Sequence, residues 1–292
     1  MQQTVGVTKS SMPELPEVEV TVRSLRAAVK GQIIQAFLCH DRRLRQPVAA
    51  GLSRTLVGRC VTDVRRRAKY LLLICDDSPG NKPGGMLILH LGMSGSLRVF
   101  PPGADVPPRR KHDHLEFLFD HGALVRYHDP RRFGLCVWAH TLDKTHKLLA
   151  NLGPEPLAGD FHAEGLRAAL QGRTAPIKNA LMDAHVVVGV GNIYASEALF
   201  RAGIRPDTPA GRLGGVRLAR LVEAIRATLE DAIAAGGSSL RDYAQTDGSD
   251  GWFQNDCFVY GRAGEPCRCC GAPIRQLRQA GRATFFCPRC QR

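Results

Sequence analysis

The tail of the chain reads Cys267-x2-Cys270-x16-Cys287-x2-Cys290, and no other stretch limits the fold so narrowly. Two Cys-x2-Cys knuckles at this separation place four thiolates tetrahedrally around one zinc ion between two hairpin turns. Four free or redox-active thiols are the competing reading. Cys269 could displace Cys270, but a Cys-x-Cys knuckle is the less usual geometry, so Cys267, Cys270, Cys287 and Cys290 are taken as the ligands. With all four positions filled and none open to water, this zinc is structural. The cysteines elsewhere (Cys39, Cys60, Cys75, Cys136 and Cys257) show no pairing pattern. That distribution fits a reducing compartment with one metal site better than a disulfide framework.

Charge points to a partner class. Lys and Arg number 40 against 27 Asp and Glu, which leaves the 292 residues at +13. The sequence pI near 9.6 lies where polyanion binders lie, although a generally cationic surface explains it equally well. Arg65-Arg66-Arg67, Arg109-Arg110-Lys111 and Arg131-Arg132 fall between apolar segments and read as points on a folded surface. No run reaches the roughly 18 apolar residues of a membrane span. The prefix Met1–Ser11 has one lysine and no apolar core, so it is not a secretory signal.

Leu15, Val18, Val22, Leu25 and Val29 recur at helical spacing, and Gly31 supplies a stop. Glu14, Glu17 and Glu19 suit the positive end of that helix. Short apolar runs at 33–38, 69–75, 86–91, 114–119, 124–127 and 135–138 then predict an antiparallel sandwich or barrel without intervening helices. Beyond Gly153-Pro154-Glu155-Pro156, helices are expected at 161–170, 177–184, 193–202 and 216–235. The fold class is thus α+β and multidomain. We place a prefix at 1–12, an N-terminal β-sandwich domain at 13–141, a linker at 142–160, a helical domain at 161–251 and the zinc finger at 252–292.

Several motifs carry chemistry. In Met12-Pro13-Glu14-Leu15-Pro16-Glu17, an internal Pro13 has an amide nitrogen and no nucleophilicity. At a chain terminus the same residue is a secondary amine that can attack a sugar aldehyde carbon and form an iminium. Its pKa is then near the α-amino value of roughly 7.7–8. Met93 sits at the tip of a predicted hairpin, His90 to Leu97, and Asp129-Pro130-Arg131-Arg132-Phe133-Gly134 is a second turn. Each alone reads as core or turn filling. Together, apolar wedges and arginines on loops are what base eversion needs. Gly189-x-Gly191-Asn192 precedes a helix that Asn192 can cap, with first-turn N–H groups able to bind phosphate, or it is only a tight turn. Lys69 opens a strand and is by default a snorkelling surface lysine. Arg282 and Thr284 lie near the tip of the finger hairpin, where Arg282 is placed for phosphate or is simply solvated.

In this order these motifs, with Lys111-His112-Asp113-His114, resemble the formamidopyrimidine-DNA glycosylases, bacterial bifunctional base-excision enzymes for oxidised purines. The resemblance runs from Met12 to the C-terminus. It implies a β-sandwich with a leading helix, a helical domain with a helix–two-turn–helix motif, a zinc finger, and DNA in the cleft between domains. It further implies that Pro13 is the nucleophile, Glu14 the acid, Lys69 the β-elimination lysine and Arg282 the phosphate-binding arginine of δ-elimination. His112, Arg131, Arg173, Asn192 and Lys178 would contact DNA. Met93, Arg131 and Phe133 would fill the space left by the everted base. Ser238 to Arg241 would lie in the lesion-covering loop. The implied protein is a cytoplasmic monomer that binds double-stranded DNA, with one structural Zn2+ and Met12 as the working start. Two alternatives stand beside it: an endonuclease VIII-like enzyme for oxidised pyrimidines, or a non-catalytic zinc-ribbon DNA-binding protein if the prefix is retained.

Overall fold

The computed structural model describes residues 12–76, 84–140, 146–238 and 256–292. The first helix, α1 (Leu15–Val29), buries the stripe Leu15, Val18, Val22, Leu25 and Val29, none of them more than 5% exposed. Pro16 lies in its first turn, where a missing N–H costs nothing.

Two four-stranded sheets follow. One runs β1 (Ile34–Cys39), β6 (Asp113–Phe119), β7 (Leu124–His128), β5 (Ser96–Phe100). The other runs β2 (Val61–Arg67), β3 (Tyr70–Cys75), β4 (Gly85–His90), β8 (Leu135–Ala139). All neighbours pair antiparallel. The unbroken apolar run of β3 is explained by burial on both faces. Leu71 and Leu73 enter the inter-sheet core, while Leu72 and Ile74 pack with Met86, Ile88 and Leu149 outside it.

Three expectations need correction here. A short helix, α2 (Leu52–Leu56), interrupts the strands. Strand β2 escapes the sequence pattern because its C-terminal half is Arg65-Arg66-Arg67. Most of all, β4 and β5 belong to different sheets, so Met93 lies on a crossover between sheets and not at a hairpin tip. The chain also crosses between the sheets from β1 to β2, and again from β7 to β8 at the Asp129–Gly134 turn.

The helical part holds α3 (Ala163–Leu170), α4 (Ile177–Leu181), α5 (Asn192–Arg201) and α6 (Gly215–Ala234). Helix α4 stops three residues before the expected Ala184. The Asp183 carboxylate accepts the His185 N–H at 3.0 Å and folds the chain into a turn instead. In α6, Leu218, Leu221, Val222, Ile225, Leu229 and Ile233 are buried as their spacing predicts, but Val216 is 86% exposed. The core is continuous from the sandwich through these helices. The last unit pairs β9 (Arg275–Gln279) with β10 (Arg282–Phe286) around its own small core, against Phe200 of α5. Among the described residues no helix is long and apolar enough to cross a membrane.

Candidate active site and nucleic-acid interface

The start of α1 and the start of α5 meet head to head. The Glu14 carboxylate accepts the Gly191 N–H at 2.6 Å and the Ile193 N–H at 3.0 Å. Those are unsatisfied donors at the positive end of α5. The expected capping by Asn192 is therefore wrong in detail: Gly191 is the N-cap, and the anion at this helix end is Glu14 from 177 residues away. A Cβ on Gly191 would collide with the Glu14 carboxyl, so only glycine permits this approach. Glu14 is 2% exposed. Burial raises its pKa to about 7, opposed by nearby Lys69 and reinforced by Glu17.

Lys69 reaches the same place from the β2–β3 turn. Its pKa is lowered, first by withdrawal from water, with Glu14 and Glu17 opposing and Arg282 adding to the shift. The residue before it, Ala68, sits at φ 53, an uncommon conformation for a non-glycine residue. That turn is held from the segment read as a linker: Glu155 accepts the Ala68 N–H at 2.6 Å and pairs with Arg66 at 2.5 Å and Arg67 at 2.9 Å. Two members of the basic triplet thus serve inside the fold and not as points on its surface.

One cleft is lined jointly by Met12, Glu14, Lys69, Met93, Gly191, Asn192, Tyr260 and Arg282. The start of the first helix, the β2–β3 turn, the β4–β5 crossover, the start of α5 and the finger hairpin converge there. Pro13 is buried beside it, between Met12 and Glu14.

Arg282 follows the β9–β10 turn and is exposed. Thr284 is not at the tip; it is fully buried and accepts from Lys178 at 2.7 Å. Lys178 also donates to Asn192 Oδ1 at 2.5 Å and to the Ala283 carbonyl at 3.2 Å. All three ammonium protons are engaged, and burial lowers the Lys178 pKa to about 8. A phosphate at Lys178 would have to replace one of these partners.

The remaining expected DNA contacts lie outside the cleft proper. Arg131 is exposed, with its guanidinium 5.0 Å from the centre of the Phe133 ring, and Phe133 is itself 46% exposed. His112 is half-buried, stacked edge-on to His114 and His128. Arg173 pairs with Asp183 at 2.8 Å. Ser238 bonds the Glu17 carboxylate through its N–H at 2.8 Å and its hydroxyl at 2.9 Å; Ser239, Leu240 and Arg241 lie outside the described residues.

Three acids to which the sequence assigns no chemical role prove to be structural centres: Glu17, Glu155 and Glu197. Glu17 suits the helix dipole, yet it is fully buried and also accepts from the Tyr194 hydroxyl at 2.5 Å. Glu197 accepts three backbone N–H groups, from Phe258, Val259 and Tyr260, and so ties α5 to the finger. Glu17 closes a local capping box onto the Glu14 N–H at 2.8 Å, but no local signal distinguishes Glu155 or Glu197 from solvated acids.

Cys267, Cys270, Cys287 and Cys290 hold their sulfurs within 4.8 Å of one another. The closest pairs are 3.4 Å (Cys270–Cys287) and 3.9 Å (Cys267–Cys290). A tetrahedron with Zn–S bonds of about 2.3 Å has edges of about 3.8 Å, so the donor set fits a four-thiolate ion. Cys269 lies outside this cluster and is exposed.

The chain matches three family models in succession. These are the formamidopyrimidine-DNA glycosylase N-terminal domain over 12–136, the formamidopyrimidine-DNA glycosylase H2TH domain over 152–244, and a zinc finger found in FPG and IleRS over 264–292. A formamidopyrimidine-DNA glycosylase from Burkholderia pseudomallei (strain 1710b) is 52% identical over 285 residues, 96% of this chain and 100% of that protein. The crystal structure of MutM (Fpg) from Thermus thermophilus superposes with a TM-score of 0.82 at 40% identity, covering 96% of this chain and 98% of that one. Lactococcus lactis Fpg (MutM) in complex with DNA containing N7-benzyl-Fapy-dG gives 0.85 at 36% identity, covering 96% and 100%.

Proposed function

The chain belongs to the formamidopyrimidine-DNA glycosylase family, and from that premise we propose that it excises oxidised purines (formamidopyrimidines and 8-oxoguanine) from duplex DNA and nicks the resulting abasic site by β,δ-elimination. The carrying observation is the shared cleft, where a carboxyl of raised pKa, a lysine of lowered pKa and an exposed arginine meet beside Pro13.

The chemistry assigns one role to each group. The active form begins at Pro13; the family match starting at residue 12 and the full coverage of a relative by 96% of this chain support this. The free Pro13 amine attacks C1′, and the C1′–N bond to the damaged base breaks as the base leaves with the proton that the Pro13 nitrogen gives up. Glu14, half protonated near pH 7, gives its proton to the sugar-ring oxygen as the C1′–O4′ bond opens and leaves an iminium. Lys69, neutral more often than an ordinary lysine, takes a C2′ proton, and the electrons expel the 3′ phosphate. A second proton loss, at C4′, expels the 5′ phosphate, with Arg282 stabilising the leaving anion. Water finally releases the sugar remnant from Pro13.

Met93, Arg131 and Phe133 fill the gap left by the everted nucleotide, and His112, Arg173, Asn192 and Lys178 bind the backbone. The ion in the finger is one structural zinc that holds the Arg282 hairpin. The protein acts as a cytoplasmic monomer on double-stranded DNA.

Borohydride reduction on duplex DNA containing 8-oxoguanine opposite cytosine tests this reading. Protein beginning at Pro13 should form a trapped adduct, and a Pro13→Gly variant should trap far less. Faster cleavage of thymine glycol opposite adenine would move the enzyme to the oxidised-pyrimidine branch. A fully active protein with residues 1–12 still attached would rule out the proline amine.

A further inference from the structure

Two of the three crossovers between the sheets, β4–β5 and β7–β8, are locked to one buried carboxylate. Asp129 and Ser94 are each 0% exposed. The Ser94 hydroxyl donates to Asp129 Oδ1 at 2.7 Å, and Ser94 Oγ in turn accepts the Arg131 N–H at 3.1 Å. The Gly134 N–H donates to Asp129 Oδ2 at 2.9 Å. The Asp129 N–H donates to the His112 carbonyl at 3.0 Å, and the Asp129 carbonyl lies 2.8 Å from His114 Nε2. Asp129 thus bonds the β4–β5 crossover through Ser94, the β7–β8 crossover at both ends, and the strand that begins beside His112.

These two crossovers also touch backbone to backbone. A Cβ on Gly92 would lie 2.5 Å from the Gly134 nitrogen, and one on Gly134 would overlap the Tyr127 hydroxyl. Next to Arg131, Arg132 stands at φ 60, and its guanidinium pairs with Asp41 at 2.7 Å. A non-glycine residue held left-handed persists only where its surroundings fix it.

We propose that Asp129, acting through Ser94, is a positioning residue that holds Met93, Arg131 and Phe133 together as a single wedge. The inference rests on the reading of those three residues as the group that fills the everted base's place. Met93 neighbours Ser94, and Arg131 and Phe133 lie between the two backbone N–H groups that Ser94 and Asp129 accept. Severing the bridge lets each crossover move by itself, although neither Asp129 nor Ser94 reaches the cleft.

The test is a double-mutant cycle read by stopped-flow fluorescence of 2-aminopurine placed beside 8-oxoguanine in duplex DNA, which brightens when the stack is opened. Ser94→Ala and Met93→Ala should each slow that step by about tenfold, and the double variant should be within about twofold of Met93→Ala alone, because coupled residues are not additive. Asp129→Asn provides a second, isosteric disruption. Its amide must turn an NH2 toward either the Gly134 N–H or Ser94, and the same loss is expected at temperatures where its melting curve shows it folded. Ser94→Ala and folded Asp129→Asn at the wild-type rate, with Met93→Ala slow, would overturn the proposal and leave the wedge reading intact. Losses that multiply in the double variant would also overturn it. Met93→Ala and Arg131→Ala both at the wild-type rate would overturn the wedge reading and this inference with it.

Discussion

Glu14 accepts the Gly191 N–H at 2.6 Å, and this one bond joins the start of the first helix to the start of a helix in the second half of the chain. It fixes the carboxyl beside Pro13 and buries it at the same time. Two backbone donors favour its ionised form, yet burial outweighs them and leaves the pKa at about 7. An acid of ordinary strength would have no proton to give at neutral pH.

Base excision should therefore follow a bell: it falls above about pH 8 as Glu14 loses its proton, and falls below about pH 7 as the Pro13 amine becomes protonated. A Glu14→Gln variant should be slower by at least about 100-fold, the usual size of a general-acid contribution, and its residual rate should no longer fall above about pH 8. Single-turnover excision from 8-oxoguanine duplexes between about pH 5.5 and 9 checks both.

Stability should follow the same group with a definite sign. The folded-state pKa is raised above the ordinary 4.5. The stabilisation linked to the Glu14 proton is complete below about 4.5 and is lost as pH rises through about 7. A shift of that size corresponds to about 3 kcal/mol. Wild type should lose up to that much relative to Glu14→Gln between about pH 4.5 and 8, measured by urea unfolding. A constant difference would mean that Glu14 is not buried as a protonated acid.

Glu155 offers a test of the Lys69 turn. Replacing it with alanine leaves Arg66 and Arg67, whose side chains are 10% and 13% exposed, without their shared carboxylate. Removing one partner from such a buried group should cost about 3 kcal/mol. It also releases the Ala68 N–H, so strand scission at a preformed abasic site should slow more than binding weakens. Scission rate and dissociation constant measured on the same duplex separate the two.

Local signals in the sequence were enough for some of this. The stripe from Leu15 to Val29, the two cysteine knuckles and the apolar run of Tyr70–Cys75 each carry their meaning within a few residues. The pairing of strands into sheets does not. His90–Leu97 looks like a hairpin because two apolar strands flank glycines, yet β4 and β5 part company and enter opposite sheets. The resemblance singled out Glu14, but not its burial; Glu155 and Glu197 were opaque altogether, since their backbone donors lie tens of residues away. An acid's burial is decided by what packs over it, and that is a property of the whole fold.

The finger ion should matter to catalysis through geometry alone. The four sulfurs hold the ends of a small unit whose strands carry Arg282, Ala283 and Thr284. Ala283 and Thr284 supply two of the three acceptors for the buried Lys178, and the Ala283 carbonyl also accepts from Asn192 at 3.1 Å. Loss of the ion should free the hairpin, strip Lys178 of those partners and withdraw Arg282 from the cleft. Cys287→Ser should therefore abolish stoichiometric zinc and weaken duplex binding by at least about tenfold, while Cys269→Ser, altering an exposed thiol outside the cluster, should change neither. Metal content by a chromogenic chelator and binding by fluorescence anisotropy give the two readouts. Equal zinc loss in both variants would mean that Cys269, and not Cys270, completes the site.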